Sequence, residues 1–202
     1  MKSGKAWGLA AILGLVAVVI GGILLSLDRN DAEPSLVQYN ARYIDAGAML
    51  RLTETLSSDA LEGRATGSRG NEAARDFIQK RFETLGLRQF GDTYFQPFTA
   101  ASEEQGGAPV SGVNVVGWIA GHTPGDGPAI VITAHYDHLG IVEGDIYNGA
   151  DDNASGVAAL IAVAQYFTLN APKHDMIFAV VDAEEIGHLG SRAFVASPPV
   201  AL

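Results

Sequence analysis

The sequence predicts an α/β fold with a mostly parallel central sheet. Three observations carry that reading: an apolar run at 129–134, a helical stretch at 153–169, and a second apolar run at 176–181. Strand, helix and strand in that order make a βαβ unit. Both runs are continuous rather than alternating, as expected of strands covered by helices on both faces. In such sheets ligands bind beyond the carboxyl ends of the strands.

The elements before that unit follow from composition and spacing. Residues 6–27 hold 22 positions without a charge, enough at about 1.5 Å per residue to cross a bilayer core of roughly 30 Å. Lys2 and Lys5 precede the run, whereas Asp28, Asp31 and Glu33 follow it. The positive-inside bias then leaves the N-terminus in the cytoplasm and the rest of the chain outside it, periplasmic or extracellular. The apolar run exceeds the core of a cleaved signal, and no small-x-small site follows Leu27, so an uncleaved anchor over 1–27 is expected. Residues 28–47 are polar and read as a linker, with the folded domain spanning 48–202.

Within that domain, Ala73, Ala74, Phe77, Ile78, Phe82 and Leu85 recur at helical spacing, and Gly86 stands where a left-handed cap belongs. Thr93–Phe98 and Val113–Ile119 suggest two strands flanking an exposed loop at 102–107.

Charge and residue types narrow the chemistry. The formal charge is -10, and beyond residue 27 the side chains number 11 basic against 23 acidic, so nucleic acid is excluded as a partner. There is no cysteine, which leaves His, Asp and Glu as the strong metal ligands. These fall together. His135, Asp137 and His138 follow the first strand of the unit, Asp151 and Asp152 open its helix, and Asp182, Glu184 and Glu185 follow its second strand.

Each piece alone has an ordinary explanation, since acids cap helices and glutamate pairs often face solvent. Together they gather carboxylates that repel unless protons or cations neutralise them, which favours a metal site.

The motifs AHYDHLG, NGADDNASG and DAEEIGHLGS, with LEGRATGSRGNEAARDFI before them, resemble the zinc aminopeptidases of metallopeptidase family twenty-eight over roughly residues 50–202. That resemblance implies a three-layer α/β/α sandwich and two zinc ions bridged by one aspartate. It assigns His135, Asp152 and Glu185 as metal ligands, with Asp152 the bridge. Asp137 becomes the acid orienting His135, Glu184 the general base, and Asp151 a neighbour without contact. Tyr136, His138 and His188 receive no role beyond structure. With Glu184 and Glu185 on extended chain, one would face metal and the other substrate.

The implied reaction is hydrolysis of the N-terminal bond of peptides with a free amino end. Two rival readings are a non-catalytic, membrane-anchored relative and a single-zinc glutaminyl cyclase. The resemblance implies two further ligands, an aspartate and a late histidine, that are not found by Leu202. The sequence therefore reads as a fold incomplete at its C-terminus, with weak zinc binding and an unpaired sheet edge after Val181.

Overall fold

The computed structural model describes residues 44–125 and 127–199. The expected membrane span at 6–27 lies outside them. Among the described residues no helix is long and apolar enough to cross a membrane.

Helix α1 (Ala46–Leu56) starts at Asp45, whose carboxylate accepts the amide of Ala48 at 3.0 Å. It buries Leu52 and Leu56. A 3₁₀ turn at Asp59–Arg64 leads to α2 (Arg69–Leu85). The Ser68 hydroxyl caps α2 by accepting from the amide of Asn71 at 3.1 Å, so the helix opens four residues before Ala73, the first of the periodic apolar positions. Gly86 ends it in the left-handed conformation the sequence predicts, with φ 74°.

Strands β1 (Phe95–Ser102) and β2 (Ala108–Ile119) form a hairpin longer than the sequence suggests, because the added residues Thr99–Ser102 and Ala108–Gly112 are mostly small and carry little apolar patterning. Next come β3 (Ile130–His135), a small hairpin of β4 (Gly140–Val142) and β5 (Asp145–Tyr147), and α3 (Ser155–Leu169). The chain continues into β6 (Met176–Val181) and α4 (Leu189–Ala196).

The four-stranded sheet runs β1-β2-β6-β3. Strands β3 and β6 pair in parallel, in register from Ile130 opposite Met176 to His135 opposite Val181. The other two described pairings, β1 with β2 and β2 with β6, are antiparallel. The expectation of a mostly parallel sheet is therefore corrected to a mixed one. A short turn joins β1 to β2 and permits only antiparallel neighbours, whereas α3 supplies the crossover that parallel β3 and β6 require.

Strand β6 is buried along its whole length. Met176, Phe178 and Val180 face a core built with Ile78 and Phe82 of α2 and Val157 and Ile161 of α3. Ile177, Ala179 and Val181 face the opposite side with Val116 and Phe194 of α4. Two-residue alternation between two covered faces explains the continuous apolar run and gives helix, sheet and helix layers.

The matching expectation fails for β3, where Ile130 is 48% exposed. Among the described residues β3 and β1 each have one neighbour, so the open edges lie there and not beyond β6, which lies between β2 and β3.

Candidate metal centre

Three loops at the carboxyl ends of parallel β3 and β6 carry the ionisable residues. The first leaves β3 at His135. Tyr136 extends the ladder, its amide donating to the carbonyl of Val181 at 3.0 Å. Its hydroxyl lies 2.9 Å from the carbonyl of Val113 and 3.1 Å from Asp182, a structural use in accord with the sequence reading. Burial raises the pKa of this phenol, and the charge of Asp182 raises it further.

Asp137 is fully buried. Its two carboxylate oxygens accept the amides of Glu184 at 3.1 Å and Glu185 at 3.2 Å, so one side chain holds the second loop against the first. The same carboxylate is 3.6 Å from Nδ1 of His135, and the Asp137 carbonyl is 3.2 Å from that nitrogen. Nε2 of His135 is thereby left for the site, 3.0 Å from Asp152 Oδ1. Fixing one imidazole nitrogen to aim the other is a recurrent arrangement at metal sites. Burial by itself lowers the His135 pKa. The hydrogen bond and charge of Asp137, with the charge of Glu184, outweigh it and push the value up to about 9.

The second loop follows β6. Asp182 does not join the cluster. It is buried and accepts from the amides of Val113 at 3.0 Å and Ala183 at 2.8 Å, from Asn71 at 3.0 Å and from Thr66 at 3.1 Å. That placement makes it a tie between α2, β2 and the end of β6.

Ala183 then takes φ 55°, so the chain turns at once and is not extended through the glutamate pair. The expectation that Glu184 and Glu185 point oppositely is corrected accordingly. Glu184 reaches to 3.9 Å from His135 Nε2, and Glu185 comes close to both His135 and Asp152.

The third loop is the turn Ala150–Ala154. Asp152 and Asn153 have non-helical backbone and α3 begins only at Ser155. Asn153 supplies the cap, accepting from the amide of Gly156 at 3.1 Å. Neither acid is used as a cap, and the Asp152 side chain, 62% exposed, is free to face His135. Asp151 stays outside the cluster, with its backbone carbonyl accepting from Ser155 at 3.0 Å.

One ligand atom each of His135, Asp152 and Glu185 can be chosen so that all three lie within 4.8 Å of one another. Imidazole and carboxylate donors converging from three loops, with no sulfur, fit zinc or a similar divalent cation.

Two histidines escape the sequence reading. His138 Nδ1 is 2.6 Å from Glu185 Oε1 and 3.9 Å from Asp152 Oδ2. His188 Nδ1 is 2.8 Å from Glu184 Oε1. The signal for His188 is its i,i+4 spacing from Glu184, made effective by its left-handed φ of 54°.

A third omission is Arg64, only 1% exposed. Burial lowers its pKa, opposed by the charges of Asp137 and Asp152. A cavity of about 590 Å³ between β1 and α4, bordered by Phe98 and Arg192, includes none of the cluster residues.

The sequence profile of Peptidase family M28 matches residues 114–201. An 80-residue stretch is 39% identical to the uncharacterized protein YfbL of Escherichia coli (strain K12), covering 38% of this chain and 25% of that one. A 134-residue stretch is 28% identical to the vacuolar membrane protease of Candida albicans (strain WO-1), over 65% of this chain and 15% of the relative.

Among solved structures, a Zn-dependent exopeptidase from Parabacteroides distasonis superposes with TM-score 0.61 at 18% identity, over 80% of this chain and 59% of that one. Porphyromonas gingivalis glutaminyl cyclase superposes with TM-score 0.64 at 20% identity, over 80% and 58%. The chain thus spans a quarter or less of these two sequence relatives. It spans rather under two thirds of the two solved chains.

Proposed function

Starting from a chain that carries a peptidase family M28 region on a zinc-exopeptidase fold, we propose that it serves as an aminopeptidase, cleaving the N-terminal bond of peptides with a free amino end. The observation that supports this most is the convergence of His135, Asp152 and Glu185 beside a third acid, Glu184, whose amide and that of Glu185 are held by one buried carboxylate.

In this reading His135, Asp152 and Glu185 would hold zinc. Bound there, the metal would supply Lewis acidity towards a carbonyl and lower the pKa of a water. Glu184 accepts the proton of the attacking water and returns it to the departing amine, the ordinary duty of a general base that becomes an acid. Asp137 keeps the His135 imidazole aimed and the glutamate loop in place. His188 fixes one oxygen of Glu184, leaving the other turned towards His135.

The fold is also that of glutaminyl cyclases, so substrate decides between the activities. Purified protein is assayed on aminoacyl-anilides and on a peptide with N-terminal glutamine. Release of the aniline, reduced about 100- to 10,000-fold by Glu184→Gln, is expected. Cyclisation of the glutamine peptide without anilide hydrolysis would replace the aminopeptidase reading. Hydrolysis by Glu184→Gln within a few-fold of the parent would remove Glu184 from the role of base. A non-catalytic protein would leave both substrates intact.

Residues 6–27 are proposed as a membrane anchor that leaves the catalytic domain outside the cytoplasm. The uncharged run and the lysines that precede it support this, as does the similarity to the Candida albicans vacuolar membrane protease.

A further inference from the structure

We propose that Arg64 is a positioning residue for the metal centre, its guanidinium fastening the backbone that carries His135 to the backbone that carries Asp152. The proposal rests on the metal-site reading above.

The side chain is enclosed and touches no carboxylate among its hydrogen-bond partners, all of which are carbonyl oxygens. Nε donates to Tyr136 at 2.8 Å, next to His135 and Asp137. Nη1 donates to Asn148 at 2.7 Å and also to Leu56 at the end of α1. Nη2 donates to Gly149 at 3.0 Å, three residues before Asp152. The backbone of Arg64 adds to the tie. Its carbonyl accepts the amide of His138 at 3.3 Å and the side-chain amide of Asn71 at 3.3 Å.

Getting an arginine into that place has a conformational cost. Glu62, Gly63 and Arg64 have consecutive positive φ values of 50°, 66° and 55°, a run that L-residues avoid. At Gly63 a Cβ would come within 2.5 Å of the Tyr147 carbonyl and 2.6 Å of the Gly140 carbonyl, so the β4–β5 hairpin packs directly on this turn. The turn therefore meets both ends of the segment joining the two ligand loops.

A planar fork with several donors in fixed directions can set the spacing of four carbonyls, whereas the compact ammonium of lysine cannot. A positive charge close to a bound cation is unfavourable electrostatically. If the guanidinium acted only as a charge, its loss would tighten metal binding. If it positions the loops, its loss weakens binding. The two roles differ in sign.

Zinc affinity of the full 202-residue chain is measured by competition with a chromophoric chelator, zinc being the only ligand added. The parent is compared with Arg64→Lys, Arg64→Ala and the core control Ile78→Ala, each at a temperature where circular dichroism shows it folded. Arg64→Lys is expected to bind zinc about 10- to 100-fold more weakly, the range for outer partners of metal ligands. Arg64→Ala should lose at least as much and recover when it is refolded with millimolar guanidinium ion. Ile78→Ala should melt earlier yet bind zinc within about threefold of the parent.

Arginine variants that bind within threefold of the parent, or more tightly, overturn the proposal. So does equal weakening in Ile78→Ala, or failure of both arginine variants to fold even with guanidinium present. A parent without zinc affinity sinks the metal-site reading itself and the proposal with it.

Discussion

His135 carries the clearest consequence at the scale of single residues. With its pKa up at about 9, the imidazole of the metal-free chain is protonated at neutral pH and bridges Asp137 and Asp152. The folded value lies above the ordinary one near 6.5, so protonation stabilises the fold. That contribution is fully present below about pH 6.5 and is lost as pH rises through about 9.

Zinc requires the neutral ring, so binding must displace this proton. Apparent zinc affinity should then rise about tenfold per pH unit from pH 6.5 towards 9 before levelling. In chelator, the melting temperature should fall over the same interval by more than that of His135→Gln. Titrations of both proteins at several pH values check this, and a flat affinity profile would show that His135 is not the proton displaced. The clustering of His135, Asp152 and Glu185 was legible in the sequence, because the motifs place them after the first strand, at the start of the helix and after the second strand of one unit. His138 and His188 were not, since their partners depend on loop turns such as the left-handed Ala183 that spacing alone does not disclose. Arg64 stayed hidden for a similar reason: an arginine in a glycine-rich stretch reads as a solvated turn until the chain folds over it.

Among the elements, β6 shows how packing makes the site rigid. Its two faces are covered, and its end is tied down by Asp182 and by close packing of α4. Gly190 stands at that junction, where an added Cβ would lie 2.2 Å from the Asp182 carbonyl oxygen and 2.4 Å from Asn114 Oδ1. Gly190→Ala must push α4 away from the strand end. The expected cost is about 1–3 kcal/mol, typical of inserting a methyl where no room exists. Thermal denaturation of the metal-free protein measures it, and an unchanged melting temperature would mean that α4 is not seated as described.

Strands β3 and β6 with α3 between them were legible from their apolar runs, although burial on two faces accounts for that run only in β6. The direction of β2 against β6 was not, since neither strand's pattern records which way its neighbour runs. Nor did the apolar character of β3 reveal that it has one neighbour among the described residues.

For the whole molecule, the proposed anchor at residues 6–27 would leave the folded domain outside the cytoplasm. Reporter domains fused after Val37 should be active only outside the cytoplasm, and the protein should stay with membranes in high salt. A cytoplasmic signal would refute that orientation. The central claim is narrower: His135, Asp152 and Glu185 form one cation site, and the adjacent glutamates divide the work. It is tested most directly by zinc affinity in Glu184→Gln and Glu185→Gln. Loss of a ligand should weaken Glu185→Gln by about 100-fold or more, whereas Glu184→Gln should stay within a few-fold of the parent. Equal affinities in the two variants, or a larger loss in Glu184→Gln, would contradict it.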